Sequence, residues 1–141
     1  MPVLKILAAG AIAGIVANAT GYLITGRLFH AYQVKTPNTW RQSGSWTQYQ
    51  YATVVRIAAC IGIALLYGAL GASFAPFGGG VISRGVGFGA LLWLVTILPQ
   101  VLEAALFVNW HRGFVMGLVL DWLVVCVLAG VAAAVAVGAH P

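Results

Sequence analysis

The chain has 141 residues, of which 62% are hydrophobic and 6% are charged, and its formal net charge is +5. Ordinary soluble domains carry about 25% charged residues, and a soluble protein of this size could not bury so much apolar surface. The composition therefore excludes a soluble domain and predicts one integral membrane domain, with the lipid bilayer as a partner. The basic residues are scattered at predicted helix ends, so the positive charge indicates membrane topology and not nucleic-acid binding.

Four hydrophobic runs are each long enough to cross a bilayer, which takes about 20 residues. They predict an all-α membrane protein, a four-helix transmembrane bundle with a long interfacial loop between helices 1 and 2. The predicted spans are residues 3–25, 52–72, 86–107 and 114–138 of a single domain, 1–141. Cys60 and Cys126 both fall in apolar runs, so they indicate packing residues and no disulfide framework.

Small residues recur at helical spacing in the first and fourth runs. Glycine at such positions lets two helix backbones approach closely, which in lipid replaces the missing hydrophobic drive between helices. The pattern therefore predicts helix-packing faces on both helices. The glycines concerned are Gly10, Gly14, Gly21, Gly113 and Gly117.

The first run has a second interpretation. Lys5 precedes an apolar stretch that ends in the triplet Ala17-Asn18-Ala19, which has the form of a secretory cleavage site. A cleaved signal therefore remains the alternative to a retained first helix.

The longest polar segment, residues 26–51, mixes aromatic and cationic residues. Tryptophan and tyrosine rings prefer the headgroup level, and cationic side chains extend to it. We therefore interpret the segment as an interfacial belt, with a turn at Thr36-Pro37-Asn38. A lid over a substrate pocket is the alternative, because loops of this length are often functional.

The chain has two acidic residues, Glu103 and Asp121, and each lies inside an apolar run. The polar turn between them, near Trp110, predicts a tight helical hairpin. At 1.5 Å per residue, the two carboxylates then lie within about 5 Å of each other in depth. Arg56 lies inside the second run and falls in the same leaflet. We therefore expect both acids to face inward and to meet cations.

Other polar residues complete the predicted site. Gln100 and Glu103 share a helix face with Gly89 and Thr96, and Pro99 should kink that helix and free carbonyl groups. The predicted intramembrane cluster consists of Glu103, Asp121, Arg56, Asn18 and Gln100. The predicted rim consists of Arg27, His30, His111 and Arg112.

Three interpretations of this cluster are open. In the first, Arg56 pairs with one of the acids, while Asn18, Thr96 and Gln100 form hydrogen bonds between helices. In the second, two carboxylates beside one arginine cannot all be charged, so one holds a proton and serves a proton or cation pathway. In the third, a metal binds at the site. The ligands would be His30, His111, Glu103 and Asp121.

Residue types suit a metal, but paired ligand spacing is missing from the sequence, so we predict neither a metal nor another cofactor. The sequence also has no nucleophile beside a base and no phosphate-binding loop, so we do not expect an enzyme. The leading hypothesis is a non-catalytic protein that acts by helix packing, as an accessory subunit of a membrane complex or as a homo-oligomer. The alternative is a small proton- or cation-linked transporter or channel that uses the cluster.

The basic residues favour one orientation. Five lie on the side of the long loop and the hairpin turn, which predicts that this side is cytoplasmic. Lys5 argues for the opposite orientation, because the first helix often dominates topology. The five are Arg27, Lys35, Arg41, Arg56 and Arg112, against Lys5 and Arg84.

The run Gly21-Tyr22-Leu23, continued by Gly26-Arg27-Leu28-Phe29 and an aromatic loop, carries a resemblance. It is similar to the start of a family of small four-helix bacterial inner-membrane proteins, classed as a domain of unknown function. The likeness extends loosely over the chain through helix count and loop lengths. It implies a multi-pass protein of the bacterial inner membrane and transfers no catalytic residues.

Overall fold

The computed structural model of the chain describes residues 2–35, 46–71 and 79–138. The secondary structure within these ranges is helical, which confirms the predicted all-α class and the four-helix bundle. Four helices are long and apolar enough to cross a membrane. They are Val3–Leu28, Thr47–Leu70, Val81–Phe107 and Arg112–Gly138.

The first and third spans are each interrupted by one turn of π-helix. The first consists of α1 (Pro2–Leu23) and a π turn (Ile24–Leu28), and the short α2 (His30–Val34) follows it. The second is α3 (Trp46–Leu70). The third consists of α4 (Val81–Leu92), a π turn (Trp93–Ile97) and α5 (Leu98–Phe107). The fourth is α6 (Arg112–Gly138).

Two predicted helix starts were placed too late. The second span begins at Trp46 and not at residue 52, so the end of the predicted interfacial loop is helical. The third begins at Val81 and not at residue 86. Polar residues in both first turns hid these starts, because a helix end at the headgroup level need not be apolar. The predicted turn at Thr36-Pro37-Asn38 lies outside the described residues.

The central helix is α6, which packs against α1, α3 and α4. Among the described residues, helix α3 and the third span meet through side chains, with the Tyr67 and Phe88 ring centroids 5.1 Å apart, but their backbones are not closely packed. Small residues dominate the part of α6 that the other helices cover, so three helices can approach it. The buried residues of α6 are Phe114, Gly117, Asp121, Val125, Cys126, Ala129, Gly130, Ala133 and Ala134.

Glycines set the contact between α1 and α3. A Cβ atom built on Gly10 would lie 2.7 Å from the Ile61 Cα, and one on Gly14 would lie 2.7 Å from the Ile57 Cα. These are contacts with the facing backbone, so neither position accepts a side chain without a shift of a whole helix. The structure therefore places Gly10 and Gly14 in the packing face that their spacing indicates.

A second close contact joins α4 to α6. A Cβ atom on Gly85 would lie 2.6 Å from the Val131 Cα and 2.7 Å from the Gly130 carbonyl oxygen. One turn further along α4, Gly89 faces the Cys126 carbonyl in the same way. The α4 half of the third span is therefore fixed to α6 by direct backbone contact.

The π turn of the third span ends at Ile97, two residues before Pro99, where the sequence predicts a kink. Pro99 is in the first turn of α5 and has no N–H to donate to the preceding turn. The Thr96 hydroxyl, inside the π turn, donates to the Leu92 carbonyl at 2.6 Å. A π turn holds one residue more than an α turn, which rotates everything after it by about 100° at 3.6 residues per turn.

Candidate functional site

Three helices meet at an arginine–aspartate pair inside the bundle. Arg56 lies ten residues after Trp46, about 15 Å along α3, and Asp121 lies nine residues after Arg112, about 14 Å along α6. Both helices start on the same side of the bilayer, so the two side chains reach the same depth. The sequence prediction that Arg56 pairs with one of the two acids therefore finds its partner in Asp121.

The pair has a two-pronged geometry. Arg56 Nη1 donates to Asp121 Oδ1 at 2.9 Å, and Arg56 Nη2 donates to Asp121 Oδ2 at 2.7 Å. Such parallel hydrogen bonds between a guanidinium and a carboxylate are the strong form of an ion pair. The Asp121 side chain is 1% exposed and that of Arg56 is 19% exposed, so the carboxylate depends on Arg56 for its counter-charge.

Helix α1 supplies a third partner. Arg56 Nη1 also donates to the Ala17 carbonyl oxygen at 3.0 Å. Gly21, one turn further along α1, makes the room for this contact: a Cβ atom there would collide with Arg56 Nη1 and lie 3.0 Å from Asp121 Oδ1. Gly21, predicted as a helix-packing residue, therefore packs against the ion pair itself.

The Trp122 ring lies beside the same guanidinium, with its centroid 5.6 Å from Arg56 Cζ. A cation near an aromatic face is attracted to the ring. The arginine is thus held by a carboxylate, a backbone carbonyl and an indole ring at once, which neutralises and orients it within the membrane.

Aromatic side chains lie on the loop side of the pair. A Cβ atom on Gly117 would lie 2.6 Å from the Phe29 ring, and one on Gly113 would lie 2.5 Å from the Tyr32 ring. Tyr32 in turn stacks on His111, with 4.9 Å between ring centroids and 17° between planes. The two glycines of α6 therefore pack against aromatic rings of the segment that follows the first span, and not against a helix backbone as their spacing predicts.

The prediction that both acids face inward was wrong for Glu103. Glu103 is exposed on α5, and among the described residues it takes part in no ion pair. Gly89 is buried while Thr96, Gln100 and Glu103 are exposed, so the predicted common face is divided at the π turn. The predicted face requires an unbroken α-helix. Because the π turn rotates the later part of the span by about 100°, the residues after it leave the packing face.

Two expected interhelical hydrogen bonds are made within single helices. Asn18 Nδ2 donates to the Gly14 carbonyl at 2.8 Å, and Thr96 donates to Leu92 in the same manner. The third span is instead bonded to α6 by Trp93, whose Nε1–H donates to the Val119 carbonyl at 3.0 Å. The contact of Trp93 was not predicted, because the sequence does not show where the N–H of an indole points in an apolar run.

The rim residues do not form one cluster. Arg27 lies over the Tyr22 ring, 5.6 Å from its centroid, and His30 and Arg112 are exposed. His111 Nδ1 accepts the Gly113 N–H at 3.0 Å. Within the described part of the chain, no three His, Cys, Asp or Glu side chains come close enough to hold a metal ion.

One buried polar atom was not anticipated. The Thr25 hydroxyl oxygen, in the first π turn, is buried and has no hydrogen-bond partner among the described residues. It lies four residues after Gly21, the residue that packs against Arg56 and Asp121. In an ordinary helix a threonine hydroxyl can bond to the backbone of the preceding turn. Thr25 lies in a π turn instead, and the sequence does not predict that turn.

Comparison of the chain with models of known families, with curated proteins and with solved structures finds no match. The resemblance of the first helix to a bacterial inner-membrane family stays a prediction.

Proposed function

We propose that this protein is a non-catalytic membrane subunit that assembles with another transmembrane protein through the outer face of α5. The observation that supports it most is the exposure of Gln100 and Glu103 on a span that crosses the membrane. Acyl chains offer such groups neither a hydrogen bond nor a counter-charge. Polar residues on another helix would supply both, as polar groups often do between membrane helices.

The depth of these residues favours a contact inside the bilayer. The third span has 27 residues and is about 40 Å long, whereas the hydrocarbon core is about 30 Å thick. If the span is centred, Glu103 lies at the edge of the hydrocarbon, about 6 Å from the helix end, and Gln100 lies about 5 Å deeper. The partner therefore needs a basic group near the headgroups and a polar group below it.

The charge favours a different protein over a second copy. In a two-fold symmetric dimer formed by this face, Glu103 would meet its own equivalent, because such interfaces repeat the same surface patch on both sides. Two carboxylates in contact at low dielectric repel each other. An accessory role beside a larger subunit with a lysine or arginine at this depth avoids that repulsion.

The internal ion pair supports a structural role for Asp121. Its two oxygens accept from Arg56, and its side chain is almost completely buried. A carboxylate held in this way fixes the register of three helices, which suits a module that acts by packing.

We place the protein in the bacterial inner membrane, with the long loop and the hairpin turn in the cytoplasm. Arg56 no longer counts toward this orientation, because it lies within the bundle. The basic residues of the loops still favour it by four to two. They are Arg27, Lys35, Arg41 and Arg112 on one side and Lys5 and Arg84 on the other.

A photo-crosslinking residue tests the assembly face directly. It is placed at Gln100 in the full chain, expressed in membranes, and at Ile12 as a control on the exposed face of α1. We expect position 100 to form an adduct with a different protein, identified from the mass of the adduct. The yield of this adduct should fall several-fold when Glu103→Gln is added. An adduct of twice the chain mass would replace the accessory role by a homo-oligomer. Equal labelling from both positions would contradict the proposal.

The alternative function is a proton- or cation-linked transporter or channel, and the orphaned Thr25 hydroxyl near the ion pair is the observation that favours it. Proton flux into liposomes distinguishes the two functions. Loss of flux in Asp121→Asn or Glu103→Gln, with the assembly intact on native gels, would support transport. Unchanged flux with weakened assembly would support packing.

A further inference from the structure

An apolar groove lies between α3 and the third span, on the side where α3 ends and α4 begins. Leu66 and Leu70 form one wall and Phe88, Leu91 and Val95 form the other, with Thr96 at the inner end. Leu70 and Val95 are 45% and 64% exposed, so the groove is open to the surroundings of the bundle. In a membrane those surroundings are acyl chains, and an empty groove would lose contacts that an acyl chain can make.

Helical spacing puts a cation one turn beyond Phe88, on the groove side of α4. Arg84, Phe88 and Leu91 are spaced by four and three residues and share one face of α4. Arg84 lies one turn nearer the helix start, about 5 Å along α4 from Val81. Helical side chains tilt toward the N-terminus, and arginine extends its charged end to the headgroup level. The guanidinium therefore reaches the membrane surface above the apolar walls.

The acidic side chains of this protein are not placed to neutralise Arg84. Asp121 is bonded to Arg56, and Glu103 lies 19 residues further along the same rod, about 28 Å away at helical rise. A second copy with the same orientation in the membrane would also place its Glu103 in the leaflet opposite to Arg84. The counter-charge for Arg84 thus fits a molecule that carries an anion at the surface and an apolar chain below it.

We propose that the groove binds one anionic phospholipid, with its phosphate at Arg84 and an acyl chain between Leu70 and Val95. The apolar walls select a hydrocarbon chain, and the single cation selects a negatively charged headgroup over a zwitterionic one. Bound there, the lipid fills the space beside the Tyr67–Phe88 contact, where the backbones of the two spans are not closely packed.

Native mass spectrometry of the full chain tests this site. The protein is released from detergent in the presence of equal amounts of phosphatidylglycerol and phosphatidylcholine, and the lipids retained per chain are counted. We expect one retained phosphatidylglycerol, and about fivefold less of it in Arg84→Gln, the factor that one cation near the surface contributes (about 1 kcal/mol). Lys5→Gln, which removes a cation from the same side of the bundle, is the matched control and should retain the lipid.

Filling the groove separates this site from general attraction to basic residues. Leu70→Trp and Val95→Trp change exposed positions at its two ends, so the bundle has room for them, and each should lower the retention of both lipids. Undiminished phosphatidylglycerol in Arg84→Gln, or in both tryptophan variants, would overturn the proposal. So would a photo-crosslinker at Val95 that labels a second copy or another protein instead of lipid.

Discussion

Asp121 and Glu103 are the two acidic residues of the protein, and the fold treats them in opposite ways. Asp121 lies on the central helix and is 1% exposed, with both oxygens bonded to Arg56. Glu103 lies on the exposed side of the outermost span, where the described residues offer it no ion pair. The two carboxylates therefore serve two purposes, one holding the helices of the chain together and the other facing outward.

The difference teaches that the exposure of an acidic side chain depends more on the position of its helix in the bundle than on the residue type. Helix α6 contacts three neighbours, so an acid on it is enclosed. The α5 half of the third span has few neighbours, so an acid on it is exposed. Four predictions can break or sharpen this comparison.

Loss of the Asp121 charge should have the largest effect. Asp121→Asn leaves the Arg56 guanidinium without a counter-charge inside the membrane, and breaking such a buried pair costs about 3–5 kcal/mol. The free energy of unfolding, measured by titration from mild detergent into dodecyl sulfate, should fall by this amount. The double variant Arg56→Met with Asp121→Leu should recover most of it, because no charge is then left unpaired. A double variant as unstable as Asp121→Asn would contradict this role for the pair.

A side chain at Gly21 should disturb the same pair by a smaller amount. In Gly21→Ala, the added methyl group collides with Arg56 and must push the guanidinium away from Ala17 or Asp121. We expect a loss of about 1–3 kcal/mol, the usual penalty of overpacking. Gly62→Ala is the matched control, since a Cβ atom there meets nothing within 4 Å. If the two variants have the same free energy of unfolding, the absence of a side chain at Gly21 is not what makes room for the ion pair.

Trp93→Phe tests how the outer span is held. It removes the hydrogen bond from Trp93 to the Val119 carbonyl and keeps an aromatic ring in place. Hydrogen bonds between membrane helices contribute about 0.6 kcal/mol on average, so the expected loss of stability is of that order. Faster amide hydrogen exchange in α5, with α1 and α3 unchanged, would show that the loss is local. Exchange that becomes equally faster in all four spans would contradict the role of this hydrogen bond in holding the third span.

Glu103→Gln should have the smallest effect on the fold. The side chain is exposed and its charge is not used inside the chain, so the free energy of unfolding of the isolated protein should change by about 0.5 kcal/mol or less. The same titration measures it beside Asp121→Asn. A loss as large as that of Asp121→Asn would mean that Glu103 is a core residue after all, and the comparison would fail.

Composition and glycine spacing predicted most of the fold, because membrane helices are long and their packing needs small residues. The four spans, the α1 face with Gly10 and Gly14, and a pair formed by Arg56 all follow from the order of residues. Which acid Arg56 would meet did not follow. That choice depends on the π turn at Trp93–Ile97, which changes the phase of the third span through geometry that a regular 3.6-residue pattern cannot show.

The distance along the chain between Arg56 and Asp121 has a consequence for synthesis. Their residue numbers differ by 65, and a ribosome adding about 5–20 residues each second takes roughly 3–13 s to cover that stretch. By the end of this time the first two helices have been made, and the arginine has the Ala17 carbonyl as a partner but no carboxylate. A nascent chain stalled before the last helix would therefore carry the Arg56 cation in the bilayer without its counter-charge.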